Sequence, residues 1–570
     1  MSSFFRWGKQ ETQASIESST WVRALDVGGG GGGDDAVALV RDLARTSAVP
    51  RRLEARVLAA LVGVFDGDDR DRAGAELLGD DETALAALPN RRVVVADVAR
   101  TRQDEDLFRS DAVRGALERT VARFCADRGA PYRQGLNEVV APWFGAALRE
   151  AEASLGTPGA MPSRRAAGRC LAAFATFVDA YAPFLVTEDA EAEALQLACE
   201  IFSWLLRYHD PALARALDQH DVSPQLFATP WLLTVGARCL PLDAVVDLWT
   251  RYLVDGDASL NVFAGLGVVL AARAAALEGD AAGVPGRLCA ALGDATLDAG
   301  AVAARAAELR AATPRSLRRL LSDACFGRAR GANRGDAAAL RRARRAVASW
   351  SCVGLAADDV ARALAERAAG PRRGLKYVVL DCRRRTVYEK KRVATALHVC
   401  PSALEDPEAL DSIVADLAPL RGACHFALVG EVAPSAKVGP LPGTLLGLAR
   451  REGRLGVDAL ELGRRRSGGA DGDDAPDAGD AEDADVARFA LLLQQREFPR
   501  VGHVRGGFAA LADALGRSGA AAGAVLVDDA PPTPPTRPRS GSGMSDYLRS
   551  RLSSFSRSSS AEKKLDELEL

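Results

Sequence analysis

From about Asp35 to Ala312 the apolar residues recur three and four positions apart, and no stretch of comparable strength alternates at the two-residue period of a strand. After Gln134 the apolar positions are Leu136, Val139, Val140, Trp143, Phe144, Ala147 and Leu148, the stripe of one buried helix face. Leu195, Ala198, Cys199, Phe202, Leu205 and Leu206 repeat the pattern. Asp210 ahead of Pro211 places an N-cap before a proline at the first helical position, which opens another helix through Leu217. This half of the chain is expected to be all-α.

The period changes at Tyr377 to Asp381, where YVVLD is a short continuous apolar run ending in an acid, the profile of a buried parallel strand. Phe426 to Val429 is a second such run, and helical stretches lie at Pro407 to Leu417, Val486 to Gln495 and Phe508 to Leu515. Strands alternating with helices imply an α/β domain. A chain of 570 residues exceeds the roughly 250 to 300 residues at which single cores stop growing, so a multidomain layout follows. We expect a flexible tail over 1–35 containing the glycine run Gly28 to Gly33, a helical domain over 36–330 and a helical linker over 331–371. An α/β domain over 372–516 follows, interrupted by an acidic Asp/Gly/Ala-rich insertion at 467–485 that is expected to be disordered, and then a disordered Pro- and Ser/Arg-rich tail over 517–570.

The 73 basic and 76 acidic side chains leave a net charge of −3, which gives no global field to attract nucleic acid. None of the ten cysteines forms a C-x-x-C pair or joins a histidine cluster, which argues against zinc and against a disulfide framework and for a reducing cytoplasmic compartment. The N-terminus has no apolar run of signal-peptide length, and the most apolar stretch, Leu260 to Ala272, is cut by Arg273. Membrane contact is therefore expected to be peripheral. Within 544–557, Met544, Leu548, Leu552 and Phe555 recur at helical spacing with Arg549, Arg551 and Arg557 between them, which suits an anionic membrane surface or a partner groove.

Two segments of the helical half carry a recognisable pattern: VVADVART at Val94 to Thr101 and YRQGLNE at Tyr132 to Glu138. Both resemble the finger motifs of the TBC family. Val94, Asp97, Arg100 and Thr101 match the first motif, with Val95 where the family has proline; Tyr132, Gln134 and Gly135 match the second without departure. Leu58 stands where a tryptophan is usual, and Trp231 with Leu240 to Leu253 resembles the closing helices. The resemblance implies activation of a Rab GTPase, with GTP and magnesium carried by that partner and no cofactor of the chain's own. GTP hydrolysis develops charge on the phosphoryl oxygens and needs an aligned water. An arginine entering in trans answers the first need and a glutamine the second, so Arg100 and Gln134 are the candidate catalytic residues. Asp97, one turn before Arg100, is placed to hold its guanidinium, and Thr101, Tyr132 and Gly135 support the two fingers.

The run YVVLDCRRRTVYEKKRVATALHV, Tyr377 to Val399, resembles the opening of a rhodanese domain, with Asp381, Arg383, Tyr388 and Ala396 at matching positions. An active member needs a thiolate directly after a core strand. Here Phe426 to Val429 runs into GEVAPSAKVGP, which has no cysteine, and Cys424 precedes the strand, so this domain is expected to be inactive. Cys382, His398 and His425 are expected to fill the core. TBC proteins with such a second domain imply an alternative role, a non-catalytic adaptor that binds golgins and tethers endosome-derived vesicles at the trans-Golgi network, where the chain would be peripherally located.

Overall fold

The structure, a computed structural model, describes residues 19–26, 33–79, 82–186, 189–326, 337–368, 375–431, 483–518 and 525–528. They fall into two compact units, the first made of residues 1–199, 224–310 and 321–341, the second of 200–223, 311–320 and 342–570.

The first unit contains helices and no strands among its described residues. Its centre is the helix Leu136–Leu155, in which the stripe read from the sequence is buried together with Asn137, Ala141, Pro142, Gly145 and Ala146. The helix is therefore enclosed on most of its circumference rather than on one face. Trp143 packs with its ring centroid 5.4 Å from Phe177 and 5.9 Å from Trp249, and the last two rings lie 4.2 Å apart. The Trp249 indole donates to the Val235 carbonyl at 2.8 Å, whereas the Trp143 indole N–H is buried without a hydrogen-bond partner among the described residues. Leu58 is buried on the helix Glu54–Leu61.

Helices Asp68–Leu78 and Arg164–Tyr181 approach so closely that small residues face backbone: a Cβ on Gly74 would lie 1.7 Å from the Arg164 carbonyl oxygen, and one on Gly168 would lie 2.0 Å from that of Arg70. The tail expected over 1–35 is corrected in part. Residues 19–26 form a helix with Trp21, Ala24 and Leu25 buried, and the next helix, Gly33–Thr46, starts inside the glycine run.

In the second unit seven strands are described: β1 (Val353–Leu355), β2 (Tyr377–Asp381), β3 (Lys391–Val393), β4 (Leu397–His398), β5 (His425–Val429), β6 (Val501–Val504) and β7 (Leu526–Asp528). Five of them form a parallel sheet in the order β1-β6-β5-β2-β4, while β3 and β7 pair antiparallel. Every residue of β2 and β5 is buried, as continuous apolar runs require of a sheet covered on both faces. Val378, Leu380, Phe426 and Leu428 share a core with Ile413 of helix Pro407–Leu417 and Phe489 of helix Ala484–Gln495, while helix Ala357–Ala368 packs against Gly507–Arg517. The N-cap predicted at Asp210 is present, with its carboxylate accepting from Leu213 N at 2.9 Å.

The boundaries differ from the sequence reading. Residues 200–223, assigned there to the helical domain, belong to the α/β unit: Tyr208 Oη lies 2.6 Å from His425 Nδ1, the Tyr208 carbonyl accepts from Arg500 N at 2.6 Å, and Arg215 donates to the Gln495 carbonyl at 2.8 Å. The stretch 331–371 is more than a helical linker, since it supplies β1. The tail expected from 517 onward contributes β7, whose pairing with β3 closes the small ribbon. At the end of the acidic insertion Asp483 is a helix N-cap, so residues 483–485 are ordered; the rest of that insertion and the segment 544–557 lie outside the described residues.

Two consequences can be measured. Gly168→Ala should destabilise the chain by roughly 1 to 3 kcal/mol, because the added methyl meets backbone that cannot turn away. Gly286→Ala, at an exposed helical position with nothing within 4 Å, should leave the melting temperature unchanged or raised. His425 is pushed down to about 3 by burial and by Arg500, so the unfolded chain takes its proton first as pH falls. The stability this histidine contributes is present above pH 6.5 and is lost progressively below it. Denaturant titrations at pH 7 and pH 5 should show a loss of about 1 kcal/mol per pH unit that His425→Gln abolishes.

Candidate functional site

Helix Arg91–Arg100 buries Val94, Asp97 and Val98 and exposes Arg100 at its last position. Asp97 is the charged member of that buried face, and every atom of its carboxylate is used. Oδ1 accepts from Arg100 Nη2 at 2.5 Å and Oδ2 accepts from the Tyr132 hydroxyl at 2.8 Å. The contact with Arg100 is a single charge-assisted bond. The Arg100 side chain remains 57% exposed, and Nη2 is one of the several N–H donors a guanidinium carries.

Thr101 is buried, donates its hydroxyl to the Asp97 carbonyl at 2.7 Å and accepts from Asn137 Nδ2 at 2.8 Å. Asn137 then turns back to the second motif: its Oδ1 accepts from Gly135 N at 3.1 Å and lies 2.9 Å from the Tyr132 hydroxyl. That hydroxyl has one proton, which the carboxylate of Asp97 takes as the stronger acceptor. Burial first, and the bond to Asp97 second, push the Tyr132 phenol well above its usual range, so it stays a donor. Asn137 was not singled out from the sequence. The available signal was a polar residue on the buried stripe, in register with Val140, Ala141 and Phe144.

Gln134 is exposed on the turn that precedes helix Leu136–Leu155. Gly135 caps that helix at φ 112°, and a Cβ there would meet Leu185 at 3.0 Å and Thr234 at 3.3 Å, so both conformation and space call for glycine. The turn is pinned from two sides, by Asn90 Nδ2 donating to the Tyr132 carbonyl at 2.7 Å and by Arg133 donating to the Phe184 carbonyl at 2.7 Å. The structure thus brings all six residues named from the sequence onto two segments tied through buried polar groups, with one cation and one carboxamide left outside. Half-buried Glu138 lies near them; burial raises its carboxyl, and Arg102, Arg238 and Arg100 oppose that rise.

An open cleft of about 510 Å³ among the described residues shares no residue with these segments. Its charges answer each other: Arg169 bonds Asp66 at 2.6 Å and Glu150 at 3.1 Å, and Arg56 bonds Asp26 at 3.0 Å. Among the described residues no group of three His, Cys, Asp or Glu side chains is placed to hold a metal ion, and no helix is long and apolar enough to cross a membrane.

In the α/β unit Asp381 and Arg383 form a bidentate pair, Nε to Oδ1 at 2.8 Å and Nη2 to Oδ2 at 2.7 Å, with Arg383 also donating to the Lys391 carbonyl at 2.7 Å. The guanidinium carbon lies 3.5 Å from the Phe508 ring centre. Cys382 between them is buried, and burial, reinforced by Asp381, raises its thiol well above the usual range. After β5 the chain reaches Gly430 and Glu431, whose amide donates to Asp483 Oδ2 at 2.8 Å, so a carboxylate of the chain itself sits where the strand ends.

Residues 79–274 match the sequence model of the Rab-GTPase-TBC domain, and the chain carries a domain of that kind there. A TBC domain-containing protein kinase-like protein of Gallus gallus is 23% identical over 229 residues, covering 39% of this chain and 22% of the relative. Its counterpart in Dictyostelium discoideum is 36% identical over 93 residues, 16% of this chain and 9% of the relative. This chain thus spans about a fifth or less of the length of these relatives. Among solved structures, the Ypt/Rab-GAP domain of Gyp1p aligns with a TM-score of 0.40 and 15% identity, covering 48% of this chain and 90% of that one.

Asp97 loses a buried donor in Tyr132→Phe, which should lower stability by about 1 to 3 kcal/mol. Asn137→Ala, which unpairs Gly135 N and removes the donor to the Thr101 hydroxyl, should be at least as damaging, as a urea titration of the whole chain would record.

Proposed function

We propose that the TBC domain accelerates GTP hydrolysis by a Rab-type GTPase, with Arg100 neutralising charge on the transferred phosphoryl group and Gln134 orienting the attacking water. The observation that carries this reading is the buried cluster of Asp97, Thr101, Tyr132 and Asn137, which joins the two motif segments while leaving the Arg100 and Gln134 side chains exposed. Catalysis by a positioned charge needs a group that does not have to be ordered at the moment of reaction. Asp97 holds the Arg100 guanidinium in advance, and the pinned turn does the same for Gln134. GTP and magnesium arrive with the GTPase, so the chain supplies no nucleophile and needs no cofactor. An arginine so placed is worth roughly a thousandfold or more in rate.

The second unit we read as an inactive rhodanese-like domain. Asp381 and Arg383 at the end of β2 support that resemblance, and Asp483 at the end of β5, with no cysteine following the strand as far as Glu431, supports the inactivity. This domain favours a second role beside the first, an adaptor that binds golgins and tethers endosome-derived vesicles at the trans-Golgi network, as in TBC domain family member 23, whose domain order the chain resembles.

The test is a panel of purified Rab proteins loaded with GTP. At least one should hydrolyse faster in the presence of the chain, and Arg100→Ala should raise the barrier by about 3 to 4 kcal/mol. Arg100→Lys should rescue little, because an ammonium lacks the planar fork. Gln134→Ala should also slow the reaction, and the double variant should lose less than the sum. If no Rab responds while golgin binding is intact, the adaptor role stands alone.

A further inference from the structure

Two residues beyond Arg100 the backbone passes through Arg102 at φ 49°. The left-handed region costs a non-glycine residue roughly 1 to 2 kcal/mol, and such strain persists only where surrounding contacts over-determine it. The contacts here are made by the guanidinium of Arg102, whose Nη1 donates to the Leu240 carbonyl at 2.6 Å and whose Nη2 donates to the Ala237 carbonyl.

Both acceptors belong to the connection between helices Thr229–Thr234 and Leu242–Asp255, which is itself tightly folded. Val235 and Gly236 are both left-handed, at φ 52° and 78°, and the amides of Cys239 and Leu240 return to the Gly236 carbonyl. This connection follows directly on Thr234, the side chain against which Gly135 is packed. The arginine segment and the glutamine segment therefore rest on one piece of backbone, the first through Arg102 and the second through Gly135.

We propose that Arg102 is a positioning residue for GTP hydrolysis: it ties the end of helix Arg91–Arg100 to the 234–240 connection and so sets the spacing between Arg100 and Gln134. This rests on the reading of those two residues as the reacting groups. Arginine suits the task because its planar fork reaches two carbonyls at once, where an ammonium would hold one. Glu138, with Asp104 and Glu105, opposes the downward pull of burial on Arg102 and keeps it a cation. Its terminal N–H groups are turned to backbone carbonyls, so Arg102 acts on the phosphoryl group only through Arg100.

Arg102→Gly is the informative variant, since glycine takes φ 49° without strain and deletes the clamp while leaving the turn. With a Rab that responds to the chain, it should lower kcat by about 10- to 100-fold, the scale of an ångström of misplacement, and change KM by less than about twofold. Arg102→Lys should recover part of the loss. In an Arg100→Ala background Arg102→Gly should slow the reaction no further, because it acts through the missing side chain. Amide hydrogen exchange on the same variant should quicken in 98–105 and 236–241 and be unchanged elsewhere. The proposal is overturned if Arg102→Gly slows the Arg100→Ala chain by the same factor as the wild type, or if exchange is unaffected or rises throughout the first unit. If the wild-type chain moves no Rab, the hydrolysis reading fails and the positioning role with it; local exchange in that case still separates an intact clamp without a reaction from a clamp that was never there.

Discussion

The buried carboxylate of Asp97 is the constraint from which the candidate site follows. A charge at that depth is tolerated only when its lone pairs are occupied, and here a guanidinium and a phenol occupy them. Satisfying Asp97 forces Tyr132 beneath helix Arg91–Arg100, and Asn137 and Thr101 complete the enclosure. The polar groups are mutually dependent, so the two segments hold one arrangement rather than a range of them. The side chains with chemistry to offer are the ones this network leaves outside.

The chain uses an aspartate with a nearby arginine twice, to opposite ends. In the TBC domain Arg100 follows Asp97 by one helical turn and stays 57% exposed; in the α/β unit Arg383 follows Asp381 by two residues and is 4% exposed. Arg383 donates to both carboxylate oxygens and to a carbonyl, with Phe508 over its face, and is held inside the fold. The difference lies in the backbone. A helix end projects the arginine past the surface, whereas the extended residues after β2 fold it back against the sheet. Burial, not residue type, separates a reagent from a clamp.

The fold departs from the sequence reading in three places, each for its own physical reason. Residues 200–223 carry a helical period like that of the first unit, but Tyr208 bonds His425 and helix Pro211–Gln219 lies against helix Ala484–Gln495, and period does not name the partner of a helix. β1 and β7 are three residues each, too short to show any period, and exist because neighbouring strands offer them hydrogen bonds. The helix at 19–26 was hidden by the glycine run after it, although Trp21 within it is a large buried side chain.

The sequence by itself determined the two classes of architecture and pointed to two motif segments, because three-and-four spacing, continuous apolar strands and short motifs are local properties of the chain. It also excluded a thiolate after β5 as far as the described residues run, since a missing side chain needs no structure to be noticed. Only the tertiary structure decided which polar groups are enclosed together. Arg102 carries no distinguishing pattern in the sequence and Asn137 only its polar place on a buried stripe, and the contacts of both are made with carbonyls and hydroxyls of residues dozens of positions away. Long-range hydrogen bonds of that kind are set by the closing of helices around Leu136–Leu155, which no window of sequence contains.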